Sequence, residues 1–163
     1  MTNHELESLR QEILRVFPRT EPPRFEDITS DMYGDSPGVR VSFEAVRWWS
    51  ANNKIIDENY NSLPLLTPTA FHYYLPAFLL RSLERFEPGN RTLAFTIYSL
   101  SPTKISRKDP WYSARLALFS PEQASVIRQF LQLILADETM WDFYEPAERG
   151  LRKFWNKENF EGL

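Results

Sequence analysis

Apolar positions along the chain recur at helical spacing in four places. Leu6, Leu9, Ile13, Val16 and Phe17 step by three and four, while Glu5, Glu7, Arg10, Glu12 and Arg15 fill the opposite face. That pattern predicts an amphipathic helix, stopped by Pro18, whose ring cannot continue it. Between Leu66 and Phe86, the residues Phe71, Leu75, Phe78, Leu79 and Leu83 form a broad apolar stripe. Thr67 can accept from the first turn, Pro68 fits a position with no bonded N–H, and Gly89-Asn90 marks a stop. Pro76 lies inside this helix, where loss of one backbone bond predicts a kink. Ser120-Pro121-Glu122-Gln123 reads as a capping box opening a helix, with Ala124, Ile127, Phe130, Leu131, Ile134 and Leu135 on its buried side. Glu145-Pro146 opens a last helix, presenting Leu151, Phe154 and Trp155 inward.

Two segments fit either period. Val39, Val41 and Phe43 alternate as in a strand, yet Val39, Phe43 and Val46 also keep helical spacing after Ser36-Pro37, a cap and a first-turn proline. The helical reading, over 37–49, is favoured; Trp48-Trp49 would end it and Asn52-Asn53 would release the chain. Leu93, Phe95 and Ile97 alternate, but Leu93, Ile97 and Leu100 suit a helix, and one strand without a partner makes no sheet. Residues 18–35, with Pro18, Pro22, Pro23 and Gly34, read as a Pro-rich loop or arm, and 101–112 as a second loop. The expected fold is therefore all-α: a single domain over 1–163, built as a bundle of five or six helices around the proline-kinked one. A minor β hairpin at 39–46 or 92–98 is the competing reading.

Composition narrows the function classes. The chain has 163 residues, enough for one domain with a real core. It has no cysteine, which removes disulfides, thiolate metal sites and cysteine nucleophiles. A reducing cytoplasm is the expected compartment. No secretory h-region is visible at the N-terminus, and the longest apolar run, Leu75 to Leu80, is far short of a bilayer span of about 20 residues. That run leaves no membrane partner expected, and a net charge of -3 leaves no nucleic acid partner expected. His4 and His72 are the only histidines, and no metal-ligand spacing or glycine-rich phosphate loop occurs, so no metal and no cofactor is expected.

The segment Leu66-Thr67-Pro68-Thr69-Ala70-Phe71-His72-Tyr73-Tyr74-Leu75-Pro76-Ala77 resembles the signature of a bacterial family of uncharacterised small proteins, roughly L-T-P-x-A-F-x-Y-Y-L-P-A. Its marked positions are Thr67, Pro68, Phe71, Tyr73, Tyr74 and Pro76. Leu118-Phe119-Ser120-Pro121-Glu122-Gln123 resembles a second landmark of that family, and Trp48-Trp49 an upstream one. The resemblance implies a bacterial, helical, cytoplasmic protein and carries no activity.

Charge is unevenly laid out. Residues 81–115 hold seven bases and three acids, whereas 137–148 hold five acids and no base. The acids there are interleaved with Met140, Trp141, Phe143 and Tyr144. Aromatic anchors in an acidic rim fit a surface for a basic protein partner, with Asp137, Glu138, Trp141, Asp142 and Tyr144 as its candidate residues. The plainer reading is a linker whose aromatics pack inward and whose acids favour the start of the last helix. The basic stretch Lys104, Arg107, Lys108 beside Trp111 and Tyr112 offers charge and stacking to an anion, although three bases in a loop are ordinarily just solvated. His72, between Phe71 and Tyr73-Tyr74, is the one residue suited to general-base chemistry. The expected function is a non-enzymatic cytoplasmic interaction module of the immunity or antitoxin kind. A small enzyme using His72 with nearby tyrosines or carboxylates is the alternative, and no catalytic residue is assigned.

Overall fold

The computed structural model describes residues 2–30, 36–106 and 108–161, leaving aside the side chains of Ser36 and Pro37. The cap read at Ser36-Pro37, Gly34 of the proline-rich loop and Arg107 of the basic stretch thus lie outside the described residues. Among the described residues there are eight α-helices and no strand: α1 Asn3–Val16, α2 Ser36–Phe43, α3 Asn53–Glu58, α4 Pro68–Glu84, α5 Arg91–Leu100, α6 Pro110–Leu116, α7 Pro121–Ala136 and α8 Tyr144–Arg149.

The all-α reading holds and the count of five or six does not. The two additional helices are short. α3 begins where Asn52-Asn53 suggested release: the Asn52 side chain caps it, accepting from Lys54 N at 2.8 Å. α6 occupies the end of the segment read as a loop, capped by Asp109, which accepts from Trp111 N at 3.0 Å, with Pro110 in the first turn. Six or seven residues span under two turns, too few for a 3.6-residue period to declare itself. The helix expected over 37–49 ends at Phe43 instead. Ala45 adopts a left-handed φ of 58°, a conformation that L-residues seldom continue, and Trp48 falls in a separate 3-10 turn, Trp48–Ser50. The segment 92–100 is helical, and the only β pairing among the described residues is an isolated bridge between Thr29 and Leu66.

α4 is the centre. Its run Ala70 to Leu79 is buried on every side except at half-buried His72, and α1, α3, α5 and α6 pack around it. A helix apolar all round must be surrounded, and this one is. The helix continues through the buried Pro76 from Pro68 to Glu84. The N-terminal end is fastened by the 18–30 arm. Thr67 Oγ1 caps Ala70 N at 3.1 Å and donates to Asp27 O at 2.5 Å, while Thr67 N donates to Ile28 O at 3.0 Å. Tyr73 donates to Thr20 O and Trp48 Nε1 to Pro18 O, both at 3.0 Å.

The α7–α8 pair closes the core. After α8 the chain makes one wide helical turn, Gly150–Phe154, in which Trp155 N bonds back five residues to Gly150 O at 2.9 Å. The extra residue in the turn carries both Phe154 and Trp155 inside and leaves Leu151 half-buried. Gly150 sits in a tight place: a Cβ there would lie 3.0 Å from Leu131 Cδ1 and 3.3 Å from the Leu100 carbonyl oxygen, so both would have to give by a few tenths of an ångström. Trp155 then donates through Nε1 to that same carbonyl at 2.8 Å.

Tyr74 links α4 to the end of α2. Its hydroxyl lies 3.0 Å from Phe43 O and 2.9 Å from Val46 O, on either side of the left-handed Ala45. Tyr74→Phe should lower stability by about 1–3 kcal/mol, because the two carbonyls lose the one hydroxyl proton they share. The urea midpoint should fall with an unchanged slope; an unmoved midpoint would mean the α2 end is not held this way.

Candidate functional site

The acidic, aromatic segment divides into residues that hold the fold and residues that face water. Asp137 ends α7 and turns its carboxylate inward on the chain, accepting from Thr139 N at 2.9 Å and Thr139 Oγ1 at 2.7 Å. Those hydrogen bonds hold its carboxyl below the usual range. A 3-10 stretch, Glu138–Phe143, follows. It is broken at Met140, whose φ of -93° and ψ of 17° are not helical. Met140 and Phe143 are buried, as the linker reading required. Glu138, Trp141 and Asp142 face outward, and Trp141 is 68% exposed, the most exposed large apolar side chain of the described residues. Tyr144 is half-buried and fastens the segment by donating to Asp137 O at 2.9 Å. Of the five residues nominated from the sequence, Glu138, Trp141 and Asp142 are thus available to a partner. Asp137 and Tyr144 position them.

The sequence reading missed the outer face of α5. Thr92, Leu93, Thr96, Ile97 and Leu100 are buried, which sends Arg91, Phe95 and Tyr98 to the other side of the helix at i, i+4 and i+7. Phe95 is 37% and Tyr98 46% exposed. The signal was present: once Leu93, Ile97 and Leu100 are assigned inward, two aromatic rings have no core to enter. Neighbouring rings extend this pair into a stripe. The Arg91 guanidinium lies 5.3 Å from the Tyr60 ring centre, Tyr60 meets Phe95 at 4.9 Å, Phe95 meets Tyr98 at 6.0 Å, and Tyr98 meets Phe143 at 6.1 Å. The stripe therefore runs from a cation to the 138–143 stretch that carries Trp141 and Asp142.

Shallow depressions lie at both ends. One of about 340 Å³ is lined by Tyr98, Pro102, Lys104, Ile105 and Arg149. Arg149 is buried beside it and fully engaged, donating to Ser101 O at 2.9 and 2.7 Å and pairing with Glu145. The other, of about 760 Å³, includes Lys54, Asp57, Tyr60, Arg81 and Arg91. There Arg81 grips Asp57 with contacts of 2.6 to 3.1 Å, and Thr92 Oγ1 donates to the same carboxylate at 2.9 Å. These donors, Arg81 first, hold the Asp57 carboxyl below its usual range.

His72 is a fastening between α4 and α7. Gln123 accepts from Ser120 N through Oε1 at 3.0 Å and donates through Nε2 to Val16 O at 3.2 Å, so its amide orientation is set. Oε1 also lies 2.9 Å from His72 Nε2, which must then be the donor. Phe119 packs edge-on against the imidazole at 4.7 Å. Burial pushes the pKa of His72 below 6.5, and the ring is neutral at pH 7.

The signature residues are architectural. Thr67 and Pro68 start α4, Phe71 lies under the buried Arg115 guanidinium at 4.7 Å, Tyr73 and Tyr74 tie down two carbonyl-bearing segments, and Pro76 packs in the core. In the basic stretch, Lys104 and Lys108 are exposed, but Tyr112 is buried with its hydroxyl on Ser99 O at 2.9 Å, and Trp111 stacks on Arg115 at 4.9 Å. The aromatic half of a stacking platform is not presented there. Among the described residues, no group of three or more His, Asp or Glu side chains is arranged to hold a metal ion, and no helix is long and apolar enough to cross a membrane.

A family model described as a family of unknown function, DUF6714, matches residues 24–159, from the arm to the last turn. No curated protein and no solved structure matches the chain.

The lowered pKa of His72 makes stability depend on pH in a defined direction. The unfolded chain takes up a proton near 6.5 while the folded one resists it, so this contribution is complete above 6.5 and is lost as pH falls from there towards the folded pKa. The melting temperature should drop on acidification below 6.5, and His72→Gln should flatten that part of the profile. An unchanged slope in the variant would assign the dependence elsewhere.

Proposed function

The chain is a member of the DUF6714 family of unknown function, and we propose that it works as a protein-interaction module that docks a basic partner protein. The observation that carries this reading is the exposed Trp141 between the outward-facing Glu138 and Asp142, on a stretch whose buried Phe143 ring meets the half-exposed Tyr98 of α5. Large apolar rings held in water at a solvent-facing position cost free energy that a partner recovers by covering them. Tryptophan and tyrosine supply much contact area with few rotatable bonds, which is why they dominate binding energy at protein interfaces. The anchors are held rigidly here: Phe143 is buried beneath the stripe, and the Asp137 and Tyr144 hydrogen bonds fix the loop around Trp141.

Charge supplies the selectivity. Glu138 and Asp142 make no ion pair among the described residues, so their field is directed outward. Acidic charge beside aromatic anchors accelerates encounter with a basic surface and rejects acidic ones. The sharpest form of this reading is an immunity- or antitoxin-like protein acting in the cytoplasm, where it would cover a basic surface of its target. Cysteine-free composition and net charge of -3 fit that role.

Trp141→Ala with Asp142→Lys tests the reading directly. Both side chains are exposed, so the fold should be kept, as judged by circular dichroism. A basic partner recovered stoichiometrically by the wild-type protein should bind the double variant at least about thirtyfold more weakly, the scale of losing one interface hot spot. Its association should slow with added salt for the wild type more than for the variant. Equal affinity would remove the 137–145 surface from consideration.

A further inference from the structure

The smaller depression, of about 340 Å³, is lined by one sign of charge. Lys104 and Arg149 line it, no carboxylate of the described residues does, and Tyr98, Pro102 and Ile105 make most of its wall apolar. The larger depression, by contrast, holds Asp57 and Glu58 among its cations. Lys104 is exposed and makes no ion pair among the described residues. Arg149 is buried, with each nitrogen engaged: Nε and Nη2 donate to Ser101 O, and Nη1 pairs with Glu145. A guanidinium carries five N–H groups, so one on each terminal nitrogen is left over after those three bonds. The Glu145 side chain is 77% exposed, and an exposed carboxylate gives up such a pairing at little cost.

The helix end beside the depression has its negative charge blunted. The last carbonyls of α5 form the negative end of that helix. Tyr112 donates to Ser99 O, Trp155 to Leu100 O and Arg149 to Ser101 O, so each of these acceptors already faces a donor. Lys104 and Arg149 against Glu145 then leave a sum of one positive charge. We propose that this depression binds a small carboxylic acid in its ionised form, the carboxylate held by Lys104 and Arg149 and the apolar body laid against Tyr98, Pro102 and Ile105. A monoanion balances the one charge, whereas a doubly charged phosphate exceeds it. The apolar wall selects an acid with a hydrocarbon body over a fully hydrated one. The volume lies at the small end of ligand cavities, which run from roughly 300 to 1,000 Å³, and this limits the ligand to a small molecule. Glu138, Trp141 and Asp142 line none of it, so the site stands apart from the docking surface proposed above.

Titration of the full chain with hydrocinnamate at pH 7 and constant ionic strength, followed by proton–nitrogen correlation NMR, tests this. Backbone amides between Tyr98 and Ile105 and at Arg149 should shift saturably, with a Kd between about 0.1 and about 10 mM, as suits a shallow site. Hydrocinnamamide has the same body without the charge, and inorganic phosphate has charge without the body, so neither should saturate those signals over the same range. Lys104→Glu reverses the exposed charge and should weaken binding at least about tenfold. Glu145→Gln removes the carboxylate that competes for Arg149 and should tighten binding about threefold, a gain that a purely architectural Arg149 would not give. The spectra themselves report that both variants are folded. No saturable shift, equal binding of the amide or of phosphate, indifference to Lys104→Glu, or unchanged or weaker binding by Glu145→Gln would each overturn the proposal.

Discussion

α4 has no face that water can be allowed to touch. From Ala70 to Leu79 its side chains are buried on all sides, with His72 alone half-exposed, and the rest of the molecule is arranged as a sheath around that rod. A rod so enclosed confines its polar atoms too. The hydroxyls of Tyr73 and Tyr74 and the imidazole of His72 each reach past the apolar layer to a group on another segment, a backbone carbonyl for the tyrosines and an amide for the histidine. Burial of a polar group without such a partner would cost more than the bond itself returns, so each contact specifies where its partner segment must lie. That is how a greasy helix acquires a unique sheath.

The same logic places two buried arginines. Arg115 stacks between Phe71 and Trp111 and donates to Pro64 O at 2.8 Å and Leu66 O at 2.7 Å, pinning the turn that leads into α4. Arg149 donates to Ser101 O and pairs with Glu145, fixing the end of α5 to α8. A planar guanidinium can serve two acceptors in one plane, which suits it to irregular junctions where carbonyls have left the helical ladder. Both junctions border the α5 helix, and through them the surface stripe is mounted on a rigid base.

The candidate site is thus a consequence of the core. Filling one side of α5 with Leu93, Ile97 and Leu100 leaves Phe95 and Tyr98 outside, and closing α7 against α8 leaves Trp141 exposed on a braced loop whose buried Phe143 meets Tyr98. The residues nominated from the sequence at 137–145 were half of this surface. The other half lay in a segment read only for its period, helical through Leu93, Ile97 and Leu100, with Phe95 and Tyr98 given no role. His72, the one residue with catalytic potential on sequence grounds, is committed to joining α4 to the capping box of α7.

What the amino-acid sequence determined by itself was what repeats locally. The caps at Thr67 and Ser120 and the 3.6-residue stripes of α1, α4 and α7 were legible because each is satisfied within a few residues of chain. α3 and α6 were not, since helices of six and seven residues owe their existence to neighbours and to a single capping side chain. The early end of α2 at the left-handed Ala45 and the wide turn at Gly150 were set by contacts 28 to 55 residues away, those of Tyr74 with Val46 and of Trp155 with Leu100. Tertiary structure alone also decided which aromatic rings would be left in water, because a ring's exposure depends on how much core volume its neighbours have already filled.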